Sequence, residues 1–95
     1  MKIEEIKIEW DDEKDEINFK KHHIHFSSAA FVFLDENRLE FFDEKHSKEE
    51  DRFIVIGIVE EVIFVIYTER KNSLRIISAR IATKKERELY YEKNS

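Results

Sequence analysis

The chain of 95 residues is predicted to form an α+β domain in which helices pack on a mostly antiparallel sheet. Three Ile/Val-rich segments between residues 52 and 80 are joined by connections so short that neighbouring strands must run antiparallel. Helix-capping residues stand before and after these segments. We therefore expect the order β-α-α-β-β-β-β-α in a single domain that spans residues 1–95.

The composition excludes several classes of protein. Charged and hydrophobic residues each make up 41% of the chain, which argues against a disordered segment. The absence of Cys excludes disulfides and thiolate zinc sites, and a single Gly excludes a glycine-rich phosphate loop. No apolar run approaches the roughly 18 residues of a membrane helix. We expect a soluble cytoplasmic protein with no membrane partner.

The first two elements are predicted from an alternating pattern and a cap. Apolar residues alternate with polar ones from Ile6 to Trp10, as in a half-buried strand. Asp11 is a suitable N-cap for a helix that ends at Lys21 or His22.

A second helix is predicted over residues 28–34, with Ser27 as its N-cap. Phe26 and Phe31 occupy the two positions of a hydrophobic staple. The alternative is a strand at 31–34, because that run is short and aromatic.

The remaining strands are predicted at 38–42, 52–58, 62–68 and 73–80, with a polar loop at 43–51 and turns at Glu60-Glu61 and Lys71-Asn72. The strand at 62–68 is apolar on both faces, so we expect it to be central and covered on both sides. Thr83 and Glu86 match a capping box and predict a last helix that ends near Glu92.

Charge is distributed unevenly along the chain. Residues 1–66 hold 9 Lys/Arg and 18 Asp/Glu, whereas residues 67–95 hold 8 and 4. A basic final third in an acidic protein is a possible footprint for a polyanion, although solvated charge on a terminal helix gives the same pattern.

Five arginines are candidate phosphate ligands, because a guanidinium offers phosphate a planar fork of donors: Arg52, Arg70, Arg75, Arg80 and Arg87. Arginines on a strand often only pair with carboxylates. Arg75 and Arg80 are five residues apart, so a regular strand would place them on opposite faces. Both can line one site only if the strand bends, bulges or ends.

Histidines and tyrosines offer further candidates. His22, His23, His25 and His46 suggest a metal site only weakly, because structural zinc usually takes four ligands. A histidine at a helix end also interacts well with the helix dipole, and one with a pKa near neutrality can act as acid or base. One of Tyr90 and Tyr91 is expected to pack on the sheet, while the other could stack on a base.

Taken in order, several blocks of the chain resemble the BrnT toxins of bacterial type II toxin–antitoxin systems. The blocks are residues 8–14, 18–26, 30–35, 51–57, 67–70 and 74–87, followed by Tyr90. The most specific is Leu74-Arg-Ile-Ile-Ser-Ala-Arg80. Two positions depart from the family pattern: His23 stands where a Gly is common, and Ile81 stands where a basic residue is common. The first departure removes a Gly that suits a left-handed helix end.

The resemblance implies a RelE-like compact antiparallel sheet flanked by helices. It implies a metal-independent endoribonuclease that needs no cofactor, cuts RNA and arrests growth. It also implies a ribbon-helix-helix, BrnA-like antitoxin as partner, with operator DNA bound only through the toxin–antitoxin complex.

A metal-free ribonuclease needs a base, an acid and donors for the phosphorane. The candidate catalytic residues are His22, Arg70, Arg75, Arg80 and Tyr90. The candidate RNA-binding residues are Lys21, Arg52, Lys84 and Arg87. Lys21 is the alternative to Tyr90 as proton donor or acceptor, and Glu69 and Asp51 are expected to hold the arginines in place. Two other readings stay open: an inactive binding protein that acts with its antitoxin, and a metal-dependent enzyme that uses the histidines.

Overall fold

The computed structural model describes residues 6–95. Its elements are β1 (Lys7–Glu9), α1 (Asp12–His22), α2 (Phe26–Ala29), β2 (Leu39–Phe42), β3 (Arg52–Val59), β4 (Glu61–Arg70), β5 (Ser73–Ile81) and α3 (Lys84–Lys93). A 3-10 helix at Ala30–Leu34 continues α2, and a short one at Glu44–His46 lies in the polar loop. No helix in residues 6–95 has the length and apolar character needed to cross a membrane.

The five strands form one sheet in the order β1-β5-β4-β3-β2. Pairs among β2, β3, β4 and β5 are antiparallel, as expected from the short connections, but β1 runs parallel to the beginning of β5. The sheet is therefore mixed, and the expectation of an antiparallel sheet holds for four of its strands. A parallel neighbour is possible because the chain returns to β1 only after most of the molecule has intervened.

The main core lies between one face of this sheet and the first two helices. Phe26, Ala29 and Val32 are fully buried against Val55 and Val65 of the central strands. The central place of β4 confirms the expectation drawn from its apolar sequence.

Helix α3 covers one end of the second face of the sheet. There α3 packs Tyr90 on Ile56 and Val62. Further along β4, Phe64 and Ile66 are only partly buried. The expectation that β4 is covered on both sides is therefore wrong for its middle part, which α3 does not reach, whereas Thr68 beyond it is buried beside the polar loop.

Caps explain the helix boundaries that were predicted correctly. The Asp11 side chain accepts hydrogen bonds from the N–H groups of Glu13 (2.9 Å) and Lys14 (3.1 Å). At α3, the Thr83 side chain accepts from the Glu86 N–H, and the Glu86 carboxylate accepts from the Thr83 N–H.

The second helix differs from its prediction. It begins at Phe26 with His25 as N-cap, and it tightens into a 3-10 helix after one turn. The proposed staple is absent, since Phe26 is fully buried whereas Phe31 is 60% exposed. Burial of Phe26 in the core decides where this helix begins, and the Ser27 cap signal does not.

Candidate active site

A β-bulge in β5 controls which side chains share the open face of the sheet. Ile66 of β4 pairs with Ser78, but the next residue, Tyr67, pairs with Ile76. Ile77 is therefore the extra residue of the bulge. Two residues of β5 that lie on either side of Ile77 and are an odd number of positions apart in sequence are therefore paired with β4 residues that are an even number apart.

Because of the bulge, Arg75 and Arg80 lie on the same face. Arg75 stands opposite Thr68, and Arg80 stands opposite Phe64. Thr68 and Phe64 are four residues apart on β4 and so share a face, and their partners share it too. The same register adds two more of the predicted residues to this face, namely Arg52 and Arg70.

Arg80 is held rigidly at one end of this face. Its guanidinium forms a two-pronged pair with the Glu86 carboxylate, at 2.8 and 2.9 Å, and its Cζ lies 4.0 Å from the centre of the Phe64 ring. Burial works against the charged Glu86, but the hydrogen bonds from Arg80 and from the Thr83 backbone lower its pKa below the usual value. Glu86 thus joins the cap of α3 to the site.

Arg75 and Arg70 form a second group at the other end of the face. Arg75 donates to the Glu9 carboxylate of β1, which also accepts from the Ser73 hydroxyl. These bonds lower the pKa of Glu9, and the charges of Arg75 and Arg70 add to the effect. Arg70 lies 3.4 Å from Glu50 in the polar loop.

The carboxylates that hold the arginines are not those expected from the sequence. Within residues 6–95 the partners of Arg70, Arg75 and Arg80 are glutamates 50, 9 and 86, rather than Glu69 and Asp51. Asp51 contributes through its backbone, whose carbonyl accepts a 2.7 Å hydrogen bond from Thr68.

His22 ends α1 beside the open edge of β5. It lines a cleft with Lys21, Ile77 and Ser78, because β1 pairs only with the first residues of β5 and leaves this stretch uncovered. Burial lowers the pKa of His22, and the positive charges of Lys21 and Arg80 lower it further. Its imidazole is therefore neutral at neutral pH and able to accept a proton.

Asn18 anchors α1 to this edge. Its side-chain NH₂ donates to the carbonyls of Ala79 (2.9 Å) and Ile24 (3.0 Å), and its oxygen accepts from the Ala79 N–H (3.1 Å). The side chain is buried and satisfies backbone groups that an edge strand would otherwise leave unpaired. Asn18 thereby positions His22 one helical turn later.

Two of the other histidines, His23 and His25, line a cleft together with His22, whereas His46 lies apart in the polar loop. His23 takes a left-handed conformation at the end of α1, and His25 stacks on Phe19 at 3.9 Å between ring centres. His46 pairs with Asp43 at 2.9 Å. In the part of the chain that the structure describes, no three His, Asp or Glu side chains are grouped as metal ligands.

Tyr90 lies in the core rather than among the arginines. It is 3% exposed, and its hydroxyl donates a 2.6 Å hydrogen bond to Asp35. Burial and this bond raise the pKa of Tyr90 to about 12. Tyr91, its neighbour, is exposed, as expected for one member of the pair.

The remaining candidates surround these groups on the surface. Lys84 lies 3.9 Å from Glu88 on α3, and Arg87 donates to the Ala82 carbonyl at 3.5 Å. Arg52 lines a polar cleft with residues of the 45–50 loop. Lys21 and His22 thus share one cleft at the edge of β5, where the charge of Arg80 acts on His22, whereas Arg52, Arg70 and Arg75 lie at the other end of the sheet.

Sequence reasoning missed Asn18, Glu9 and Glu50. Asn18 is the one buried residue of α1, but the other inward-facing residues of the helix, Asp15 and His22, are polar as well, so no contrast with an apolar stripe marks it. Glu9 and Glu50 carried no local signal, because their partners are remote in sequence or belong to a loop.

Two comparisons with known proteins give a match. Residues 10–86 match the model of the family described as "Ribonuclease toxin, BrnT, of type II toxin-antitoxin system". The crystal structure of the Brucella abortus ribonuclease toxin BrnT is similar, with a TM-score of 0.65 and 27% sequence identity. The match covers 83% of this chain and 99% of that one. None of the curated proteins compared with the chain matches it.

The family expected from the sequence blocks is thus confirmed by a match over most of the chain. The α+β class is confirmed as well, since the five-stranded sheet and three helices resemble those of a solved member. The chain belongs to the BrnT family of ribonuclease toxins of type II toxin–antitoxin systems.

Proposed function

We propose that this protein is a metal-independent endoribonuclease whose reaction centre is formed by Arg80, His22 and Lys21. One observation carries the proposal: Glu86 fixes the Arg80 guanidinium, and His22, whose pKa is lowered in part by the charge of Arg80, lies in a cleft beside Ser78, two residues before Arg80 on β5. RNA cleavage needs a base that takes the proton of a 2′-hydroxyl and a donor that stabilises the negative charge developing on the phosphate.

The reaction balances with these three side chains. His22 takes the proton of the ribose 2′-hydroxyl, whose oxygen attacks the adjacent phosphorus. Arg80 donates hydrogen bonds to the phosphorane oxygens. The bond from phosphorus to the 5′-oxygen breaks, and the Lys21 ammonium protonates that oxygen. The products are a 2′,3′-cyclic phosphate and a 5′-hydroxyl end.

We assign Tyr90 a packing role, because its hydroxyl is engaged by Asp35 and its pKa is raised to about 12. Lys84, Arg87 and Arg52 are proposed to contact RNA outside the reaction centre, since Lys84 and Arg87 begin α3 beside Glu86 and Arg52 shares the face of Arg80.

The biological setting is proposed from the family. A ribbon-helix-helix, BrnA-like antitoxin neutralises the toxin in the cytoplasm, and free toxin arrests growth. Operator DNA is bound only through the complex with the antitoxin. The sheet and its flanking helices are proposed to share the RelE-like arrangement.

The direct test is cleavage of labelled RNA by the purified protein, freed of any partner, in EDTA. We expect wild-type protein to cut, Arg80→Lys and His22→Gln to lose at least about 100-fold in rate, and a 2′-deoxy substitution at the cut site to block the reaction. Arg38→Ala is the matched control, because Arg38 is also paired with a glutamate but lies on the other face of the sheet. Full activity of both variants, or loss of wild-type activity in EDTA, would contradict the proposal.

A second candidate function is a catalytically inactive partner that acts only with its antitoxin at the promoter. The specific observation in its favour is that Arg70, Arg75 and Arg80 each already hold a carboxylate. Expression without the antitoxin separates the two: growth arrest that Arg80→Lys abolishes supports the enzyme, and normal growth with soluble, folded protein supports the inactive partner.

A further inference from the structure

The arginines of the open face fall into two groups that are anchored at opposite ends of β5. Arg80 is tied to Glu86, just beyond the end of that strand, whereas Arg75 is tied to Glu9 of β1, beside its beginning. Their partners on β4 are four residues apart, so their backbones are separated by about 13 Å. While each guanidinium stays paired with its own glutamate at opposite ends of β5, one phosphate cannot bind both of them through hydrogen bonds of about 3 Å.

Electrostatics divides the residues in the same way. The charges of Arg75 and Arg70 lower the pKa of Glu9, and the charges of Lys21 and Arg80 lower the pKa of His22. Arg70 thus belongs with Arg75, at the end remote from the proposed reaction centre.

The surface between the two groups lies where a nucleic-acid strand that joins them would pass. It consists of Ile66 and Ser78, which face each other across β4 and β5 and are partly exposed, followed by the buried Thr68. No ion pair in residues 6–95 crosses this surface, because each of these arginines pairs with a glutamate at its own end. The strip therefore carries no charged side chain of its own and separates the two groups of arginines.

We propose that Arg70 and Arg75 form a second phosphate subsite, so that the enzyme binds an extended single-stranded RNA whose backbone runs along β5 from Arg80 to Arg75. This inference rests on the proposed function and adds to it the shortest RNA that can occupy both phosphate sites. A strand with stacked bases advances about 3.4 Å per nucleotide, so 13 Å corresponds to about four stacked nucleotides, and to fewer when the bases are splayed apart. A single strand can adopt either spacing, whereas the spacing of the phosphates in a duplex is fixed.

The test compares cleavage of a dinucleotide and a hexanucleotide with the same cut site placed near one end. We expect wild-type KM to be about tenfold lower for the hexanucleotide, the value of one charge-assisted phosphate contact. Arg75→Ala should raise KM for the hexanucleotide to the dinucleotide value while kcat stays within about twofold. Arg70→Ala, at an exposed position, repeats the test if loss of the Glu9 pair impairs folding. Arg38→Ala controls for the loss of one positive charge.

Two outcomes overturn the subsite: equal KM for both substrates in the wild type, or an equal loss of kcat on both substrates in Arg75→Ala. If the wild type cuts neither substrate, the proposed function fails while the subsite remains measurable by fluorescence anisotropy with uncleavable 2′-O-methyl oligonucleotides. Affinity that increases with length, with a salt slope that falls by about 0.7 in Arg75→Ala, supports the subsite. Affinity that is independent of length and of Arg75 overturns it.

Discussion

His22 lies at the end of α1, beside the open edge of β5, and is influenced by the positive charges of Lys21 and Arg80. Its pKa in the folded protein lies below the ordinary value of 6.5, chiefly through burial. If His22 is the base, the rate of RNA cleavage falls as the pH drops through this lowered pKa, because protonation removes the acceptor. We expect the midpoint of the acid limb in a pH–rate profile to lie below 6.5. An acid limb unchanged in His22→Gln would show that another group accepts the proton.

His23 shows what replaces the glycine that is common in the family. Its φ of 61° and ψ of 26° lie in the left-handed region that the sequence comparison led us to expect. A residue with a Cβ pays about 1–2 kcal/mol of conformational energy in this region. Gly avoids this cost, but it also raises the conformational entropy of the unfolded chain, which offsets part of the gain in stability. We expect His23→Gly to raise the free energy of unfolding in urea by about 0.5–1 kcal/mol.

The control for this measurement is His23→Ala, which also removes the imidazole but keeps Cβ. Equal stability of the two variants would mean that backbone conformation is not the cause of the gain.

Among the elements, α1 is attached to the sheet by a polar contact more than by apolar packing. Ile17 is 59% exposed, whereas Asn18 is buried and holds the edge of β5. Asn18→Ala leaves the N–H and C=O of Ala79 without their side-chain partner, so we expect a loss of about 2–3 kcal/mol in unfolding free energy. Ile17→Ala should change it by less than about 0.5 kcal/mol. Similar losses in both variants would contradict this view of the helix.

Glu86 couples the cap of α3 to the end of β5. Its pKa is lowered in the folded protein, so its stabilising effect is present above the ordinary carboxyl value of 4.5 and disappears as the pH falls through the lowered value. We expect Glu86→Gln to lower the free energy of unfolding by about 1 kcal/mol at pH 7, with a smaller difference from wild type at pH 3.

Glu88→Gln is the matched control, because Glu88 forms only an exposed pair with Lys84 on the same helix. A difference between Glu86→Gln and wild type that stays constant from pH 7 to pH 3 would argue against the ionised carboxylate as its source.

The elements that were predicted correctly are those with local causes. Asp11, the box of Thr83 with Glu86, and the Lys71-Asn72 turn each act within a few residues, and all lie where the sequence placed them. The start of α2 was missed because burial of Phe26 outweighs a cap. The bulge and the glutamate partners depend on contacts between distant segments, which no local pattern encodes.

For the molecule as a whole, net charge is a poor guide to the binding of RNA. The chain carries a formal charge of −5, yet its open face groups four arginines, three of which are paired with glutamates. We therefore expect the pairing of these arginines with glutamates, rather than the total charge of the chain, to limit the affinity for RNA.

Glu50→Gln and Glu36→Gln separate these two effects, since each removes one negative charge but only Glu50 is paired with Arg70. We expect Glu50→Gln to tighten binding of an uncleavable RNA by about two- to fivefold, in line with the strength of an exposed pair, and Glu36→Gln to leave it nearly unchanged. Equal tightening in the two variants would favour total charge as the controlling quantity.

The unpaired residue in β5 has a consequence for how relatives of this chain should be compared. Arg75 and Arg80 are an odd number of positions apart in the sequence but an even number of rungs apart on the ladder, and Ile77 accounts for the difference. A relative that lacks a residue at this position, and has a regular strand instead, would still project both arginines to the same side. A one-residue gap at this position of an alignment would therefore leave the open face unchanged. Two sequences of different length could present the same pair of arginines on it.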